Sequence, residues 1–237
     1  MRKRRVFQRK YLQKVSKKSK PYPLKTLSAQ SLFSKLCVFE KTVTSVADLS
    51  PSSLPEFAFV GRSNVGKSSL LNALCGRVGL ARISHTPGRT QALNFFNLSN
   101  ICYLVDLPGY GYAQASHKKI LAWGKTVEDY LKGRQSLKRV FILVDGRHGL
   151  KPLDVWMMSL LDAAAQSYQI ILTKVDKVSA AELQERIETL SLILKNHPAA
   201  YPECLLTSSR EKKGIESLRE TIFHLLVESE SIPSSEA

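Results

Sequence analysis

The stretch Gly61-Arg62-Ser63-Asn64-Val65-Gly66-Lys67-Ser68 fits the pattern G-x-x-x-x-G-K-[ST], and its neighbours give it a structural context. Phe57-Ala58-Phe59-Val60 is a short apolar run that reads as a buried strand, and Ser69-Leu70-Leu71-Asn72-Ala73-Leu74 reads as the first turns of a helix. Strand, glycine loop and helix in that order form an anion cradle. The glycines let the backbone wrap closely, so that several N–H groups point at phosphate oxygens. The helix N-terminus adds its partial positive charge. In such a cradle Lys67 reaches the outer phosphates and the Ser68 hydroxyl ligates Mg²⁺.

The rest of the chain alternates. Leu36 to Val43 reads as a strand at a sheet edge. Residues 66–76 read as a helix, and 92–98 and 101–105 as a hairpin turned at Ser99-Asn100. Helix about 116–132, strand 138–145, helix 152–165, strand 168–173, helix 179–195, strand 203–207 and helix 214–228 follow. Val140-Phe141-Ile142-Leu143-Val144 and Ile170-Ile171-Leu172 are continuous apolar runs, as central strands require. The pattern predicts an α/β fold: a mostly parallel sheet of six to seven strands with helices on both faces. Between the phosphate loop and the hairpin lies Ser84-His85-Thr86-Pro87-Gly88-Arg89-Thr90-Gln91, which has neither period and is expected to be mobile.

Charge divides the chain. The net charge is +15, and residues 1–25 hold eleven Lys or Arg and no acid, which leaves about +4 for the remainder. This predicts a basic, disordered arm over 1–25, a nucleotide-binding domain over 26–228 and a frayed tail over 229–237. No apolar core of signal-peptide length follows Met1-Arg2-Lys3-Arg4-Arg5, and no run nears the roughly 18 apolar residues of a membrane span. A cytoplasmic protein is expected; organelle targeting by the acid-free arm is the alternative. An arm of this density favours anionic partners, RNA above all. Cys37, Cys75, Cys102 and Cys204 show no metal-ligand spacing and read as reduced thiols, Cys37 and Cys102 within apolar strand-like runs.

Three further motifs stand at strand ends. Asp106-Leu107-Pro108-Gly109 follows a strand directly, so Asp106 can hold Mg²⁺ through a water and the Gly109 N–H can meet a γ-phosphate. Thr173-Lys174-Val175-Asp176 selects the base. The Asp176 carboxylate can accept from guanine N1–H and the exocyclic amine, a donor pair that adenine lacks, and the Lys174 stem can lie against the ring. Thr207-Ser208-Ser209 can present N–H groups to the guanine carbonyl. Thr90 is the preferred second Mg²⁺ ligand, with Thr86 its competitor in the same loop.

Together these residues resemble a translation-factor-class GTPase. More narrowly, Gly61 to Leu70, Thr86-Pro87-Gly88-Arg89-Thr90-Gln91, Asp106-Leu107-Pro108-Gly109-Tyr110-Gly111-Tyr112-Ala113 and Asp145-Gly146-Arg147-His148-Gly149-Leu150 resemble the EngB (YihA/YsxC) family, in the TrmE-Era-EngA-EngB-Septin-like superfamily. The resemblance runs from about Val38 to the last helix. It implies a P-loop GTPase domain and a role in assembling the large ribosomal subunit, with a requirement in cell division and septation. Carried over by position, it implies a guanine-nucleotide site of Gly61, Arg62, Ser63, Asn64, Val65, Gly66, Lys67, Ser68, Gly88, Arg89, Thr90, Gln91, Ala92, Asp106, Leu107, Pro108, Gly109, Thr173, Lys174, Val175, Asp176, Thr207, Ser208 and Ser209. Mg²⁺ would sit on Ser68 and Thr90, with Lys67, Thr90 and Gly109 closest to the chemistry. The long basic arm departs from the family pattern.

Ras-type enzymes place a glutamine after the D-x-x-G glycine to orient the attacking water. Here that position is Tyr110, so slow intrinsic hydrolysis and an activating partner or ion are expected. Asn64 has two readings: a ligand of K⁺, as in related GTPases with Asn at this place, or a residue that only holds the loop. Arg89 can face phosphate, RNA or solvent. His148 reads as structural or partner-facing, and Tyr110, Tyr112, Trp123 and Tyr130 as packing or interface. The leading reading is a monomeric GTPase switch whose loops near 84–92 and 109–116 order around γ-phosphate and Mg²⁺ and bind ribosomal precursors. The alternatives are a guanine-nucleotide scaffold with negligible turnover and a membrane-associated G protein whose arm meets anionic lipid.

Overall fold

The structure, a computed structural model, describes residues 24–81, 92–110 and 117–231. Seven strands form one sheet: β1 (Cys37–Val43), β2 (Glu56–Gly61), β3 (Leu93–Leu98), β4 (Cys102–Asp106), β5 (Leu137–Asp145), β6 (Tyr168–Thr173) and β7 (Leu205–Leu206). Their order is β1-β3-β4-β2-β5-β6-β7. Only β3 runs against its neighbours, because the β3–β4 hairpin turns tightly at Ser99 and Asn100. Both turn residues have positive φ, 50° and 57°, and Ile101 N closes the turn on Leu98 O at 3.0 Å.

The helices are α1 (Ala29–Ser34), α2 (Lys67–Leu74), α3 (His117–Gly133), α4 (Pro152–Ala163), α5 (Ala180–Leu194) and α6 (Ile215–Ser231). Alternate side chains of the central strands feed two cores. Ala58, Val60, Val140, Ile142 and Ile170 face Tyr130 of α3, Met157 and Leu161 of α4 and Leu190 of α5. Phe57, Phe59, Phe141, Leu143 and Ile171 face Leu32 of α1, Leu70 and Leu74 of α2, and Leu218 and Ile222 of α6. Both faces are dry, which is why these strands are apolar without interruption.

The first core also encloses a charge. Glu56 is fully buried, and its carboxylate accepts from Arg134 (2.6 Å) and from the Tyr130 hydroxyl (2.8 Å). Arg134 also donates to Ser50 O at 2.8 Å. An unpaired carboxylate here would be costly, so the three side chains lock the start of β2 to α3 and β5. In the second core Cys37 and Cys75 are hydrogen-bonded, and Cys102 is buried in the same cluster. The hydrogen bond from Cys75 and burial push the Cys37 thiol up, and burial does the same to Cys102, so these two sulfurs stay protonated. Cys204 is only partly buried.

Three features differ from the sequence reading. Helix α1 is absent from it, since six residues carry no period; Ser28 and Ser31 cap it reciprocally, at 2.9 and 3.2 Å. Strand 203–207 contracts to Leu205–Leu206, because the Gln169 side chain takes the Glu203 carbonyl (3.0 Å) before a ladder forms. Helix 66–76 becomes Lys67–Leu74, started by Gly66 in a left-handed conformation at φ 107°. The basic arm lies almost wholly outside the described residues; Leu24, near its end, is buried.

Candidate guanine-nucleotide site

β2 lies between β4 and β5, both parallel to it, although the chain reaches them in turn on opposite sides. Such a switch point opens a crevice beyond the carboxyl ends of the strands. The register aligns the motifs there. Phe59 pairs with Asp106, Gly61 with Leu143 and Asp145 with Thr173. Gly61 admits no side chain, since a Cβ would stand 2.7 Å from Leu143 O. Asn64 has φ 64°, a conformation that Asn tolerates better than most residues.

On the phosphate side, Lys67 forms an ion pair with Asp106. Both side chains are nearly enclosed, at 12% and 13% exposure, so the pair is screened less than one on the surface. A triphosphate would recruit Lys67 to its oxygens, and Asp106 would turn to a water of Mg²⁺. A hydroxyl and a carboxylate suit that hard cation. Ser68 stands in the first turn of α2. Gly109 packs against the phosphate loop: a Cβ would lie 3.3 Å from Gly61 O. Tyr110 continues that contact, donating its N–H to Gly61 O (3.2 Å) and accepting from Ser63 N (3.0 Å). Its phenol turns into the core and donates to Asp154 at 2.7 Å. Burial raises the Asp154 carboxyl, and the Tyr110 and Lys151 hydrogen bonds oppose it.

The base side is held by a closed set of bonds. Thr173 Oγ1 donates to Val65 O at 2.7 Å, tying β6 to the phosphate loop. Lys174, at φ 57°, donates from Nζ to Asn64 O (2.7 Å) and to Asp145 (2.8 Å). Asp145 also accepts from Arg147 at 2.8 Å. Burial would raise the Asp145 carboxyl, but the Arg147 and Lys174 hydrogen bonds hold it well below the usual range. Asp176 is hydrogen-bonded by Ser208, which is buried completely, and that bond lowers the Asp176 carboxyl. The 207–209 segment is fixed in turn. Thr207 N donates to Leu172 O (2.8 Å), Val175 N to Thr207 O (3.3 Å) and Ser208 N to Lys213 O (3.0 Å). Gly214 closes this loop at φ 71°, with no room for a Cβ, which would stand 1.8 Å from Leu206 O.

The structure thus brings together Gly61 to Ser68, Asp106 to Gly109, Thr173 to Asp176 and the 207–209 segment. Ala92 is buried at the start of the hairpin. Gly88, Arg89, Thr90 and Gln91, with the competing Thr86, lie outside the described residues. Sequence reasoning gave no site role to Asp145 or to the Tyr110–Asp154 bond. The carboxylate at the end of β5 was a legible signal for the first; nothing local marked the second. Tyr110 and Tyr130 are core residues, as expected, and His148 is exposed.

Known proteins match this arrangement. The family described as 50S ribosome-binding GTPase matches residues 56–174. The probable GTP-binding protein EngB of Ruegeria pomeroyi is 51% identical over 198 residues, covering 84% of this chain and 91% of that protein. The probable GTP-binding protein EngB of Sinorhizobium fredii is 53% identical over 208 residues, covering 83% and 95%. Among solved structures, a probable GTP-binding protein EngB superposes with a TM-score of 0.60 at 22% identity, over 73% of this chain and 99% of that one. Era in complex with MgGDPNP and a segment of 16S ribosomal RNA gives 0.57 at 23% identity, over 78% and 58%. The last two likenesses speak for the fold; the first three go further, and this chain belongs to the EngB family of GTP-binding GTPases.

Proposed function

We propose that this GTPase is a nucleotide-driven switch in assembly of the large ribosomal subunit. In its triphosphate form it would bind the subunit or its precursors, and on hydrolysis it would let go. The observation that carries the reading is the contrast within the site: a braced base pocket beside an ion pair, Lys67–Asp106, that nucleotide and metal can separate. Asp176 selects guanine. Ser68 and Thr90 hold Mg²⁺, which supplies charge neutralisation at the β- and γ-phosphates. Asn64 can add K⁺. The basic arm, residues 1–25, contacts RNA, and the protein acts as a cytoplasmic monomer. Among the described residues no helix is long and apolar enough to cross a membrane. A requirement in division and septation follows from failed subunit assembly.

One observation favours a second reading. The side chain after Gly109 points into the core toward Asp154, so no group at that position can orient a water. The chain would then hydrolyse slowly until a partner or ion completes the site, or act as a guanine-nucleotide-dependent scaffold. Single-turnover GTP hydrolysis, with and without ribosomal subunits, separates the two. Co-sedimentation with subunits on sucrose gradients, in GTP-analogue and GDP states, tests the main reading. Equal binding in both states, or none, would remove it.

A further inference from the structure

Tyr110 stands where Ras-type enzymes place the glutamine that orients water, yet it is only 4% exposed. Its main chain is bonded to the phosphate loop in both directions: Tyr110 N donates to Gly61 O (3.2 Å) and Ser63 N to Tyr110 O (3.0 Å). Arg62 lies opposite Tyr110 in this pairing, which carries on the parallel ladder where Phe59 pairs with Asp106. Gly109 is seated on the same loop, since a Cβ there would lie 3.3 Å from Gly61 O and 3.4 Å from Ser63 N. The Tyr110 side chain supplies a third hold. Its phenol donates to Asp154 Oδ1 (2.7 Å), and Asp154 Oδ2 accepts from Lys151 N (2.8 Å). Asp154 is 1% exposed, and the next turn of α4 is pinned in the first core by Met157, Met158 and Leu161.

The buried bond is the hardest of the three to open, because opening it leaves a carboxylate short of a donor away from water. Burial, and then the Asp154 charge, keep the phenol protonated, so the donor is always present. Burial raises the Asp154 carboxyl too, but the Tyr110 and Lys151 hydrogen bonds and the charge of Arg62 favour the ionised acceptor. We propose that Asp154 is a positioning residue for GTP: acting through Tyr110, it keeps Gly109 on the phosphate loop, ready for a γ-phosphate, and so favours triphosphate over diphosphate. A diphosphate has no group for Gly109 to meet, so the hold acts on one nucleotide and not the other. This role rests on the reading that Gly109 serves the γ-phosphate. It adds to that reading a residue 44 positions beyond Tyr110 and outside every nucleotide motif.

The test uses the full chain with Mg²⁺, a fluorescent non-hydrolysable GTP analogue and fluorescent GDP. Tyr110→Phe removes the donor alone. Asp154→Ser removes the acceptor but leaves a cap for Lys151 N, as Ser31 caps Ser28 N (2.9 Å) from the same position of α1. Each should lower the ratio of GTP-analogue to GDP affinity roughly 2- to 12-fold, the range set by one hydrogen bond. The double variant should lose no more than the larger single loss, because both changes remove the same bond. Melting temperatures show which variants fold, and where one does not, the other decides. A ratio unchanged in the folded variants overturns the proposal, whether both affinities fall together or neither moves, and leaves the bond a brace of α4. Losses that add in the double variant overturn it as well. Gly109→Ala tells the two levels apart. If it alone lowers the ratio, Gly109 keeps its γ-phosphate role and Asp154 loses its own; if none of the variants lowers it, both readings fall.

Discussion

The two ends of the nucleotide site are built differently. At the base end, Thr173, Lys174, Asp145, Asp176 and Ser208 are joined by hydrogen bonds that guanine need not disturb. At the phosphate end, Lys67 and Asp106 are joined to each other, and the ligand must replace that pair with its own charges. In the proposed switch the first end, already braced, would set which nucleotide enters, and the second, by changing partners, would report how many phosphates are present. A switch needs both, since a ligand shifts a conformation only through contacts that differ between the two states.

The largest expected effect lies at the phosphate end. Lys67→Ala should reduce GTP affinity by roughly 10- to 150-fold, the range for hydrogen bonds to charged groups, with a smaller loss for GDP. Titration with fluorescent nucleotides checks this, and an equal loss for both would erase the contrast between the ends. Next comes the base end. Gly214→Ala forces a Cβ onto Leu206 O and a side chain into a left-handed backbone, at a cost of about 2 kcal/mol. A lower melting temperature and weaker binding of GDP and GTP alike are expected. Loss of GTP binding alone would mean that the 207–209 loop serves the phosphates.

A smaller effect concerns pH. The Ser208 hydrogen bond holds the Asp176 carboxyl below its usual value, so the charged acceptor persists as pH falls and is lost only below the ordinary carboxylate range. Ser208→Ala should move that loss of GDP binding up into the ordinary carboxylate range, readable as weaker binding at about pH 4 with little change near neutrality. An unshifted profile would detach Ser208 from Asp176. The smallest effect is at Asn64. If it ligates K⁺, hydrolysis is faster in KCl than in NaCl at equal ionic strength, and Asn64→Ala abolishes the difference. Equal wild-type rates assign Asn64 to its left-handed backbone position alone.

Both ends of the candidate site were legible where their motifs are local: Gly61 to Ser68 and Thr173 to Asp176 are short and follow apolar strands, whereas Thr207-Ser208-Ser209 is marked only by its order and place. The sheet was legible for the same reason: continuous apolar runs such as Val140 to Val144 are strands buried on both faces. What the sequence hid depends on residues far apart. Tyr110 and Asp154 are 44 positions apart, and Arg134 lies 78 from Glu56. Neither pair has a local signature. Lys67 showed the same limit in another way: its motif names the phosphate it serves, not the carboxylate that it holds.

The central claim, a preformed pocket that accepts guanine through Asp176, is tested most directly by Asp176→Asn. Xanthine carries a carbonyl where guanine carries its amine, and Asn can donate to it. Binding of fluorescent GTP and XTP to the folded variant should show GTP weakened and XTP favoured over GTP, the reverse of the wild-type order. GTP affinity that stays at the wild-type level in the folded variant would contradict the account.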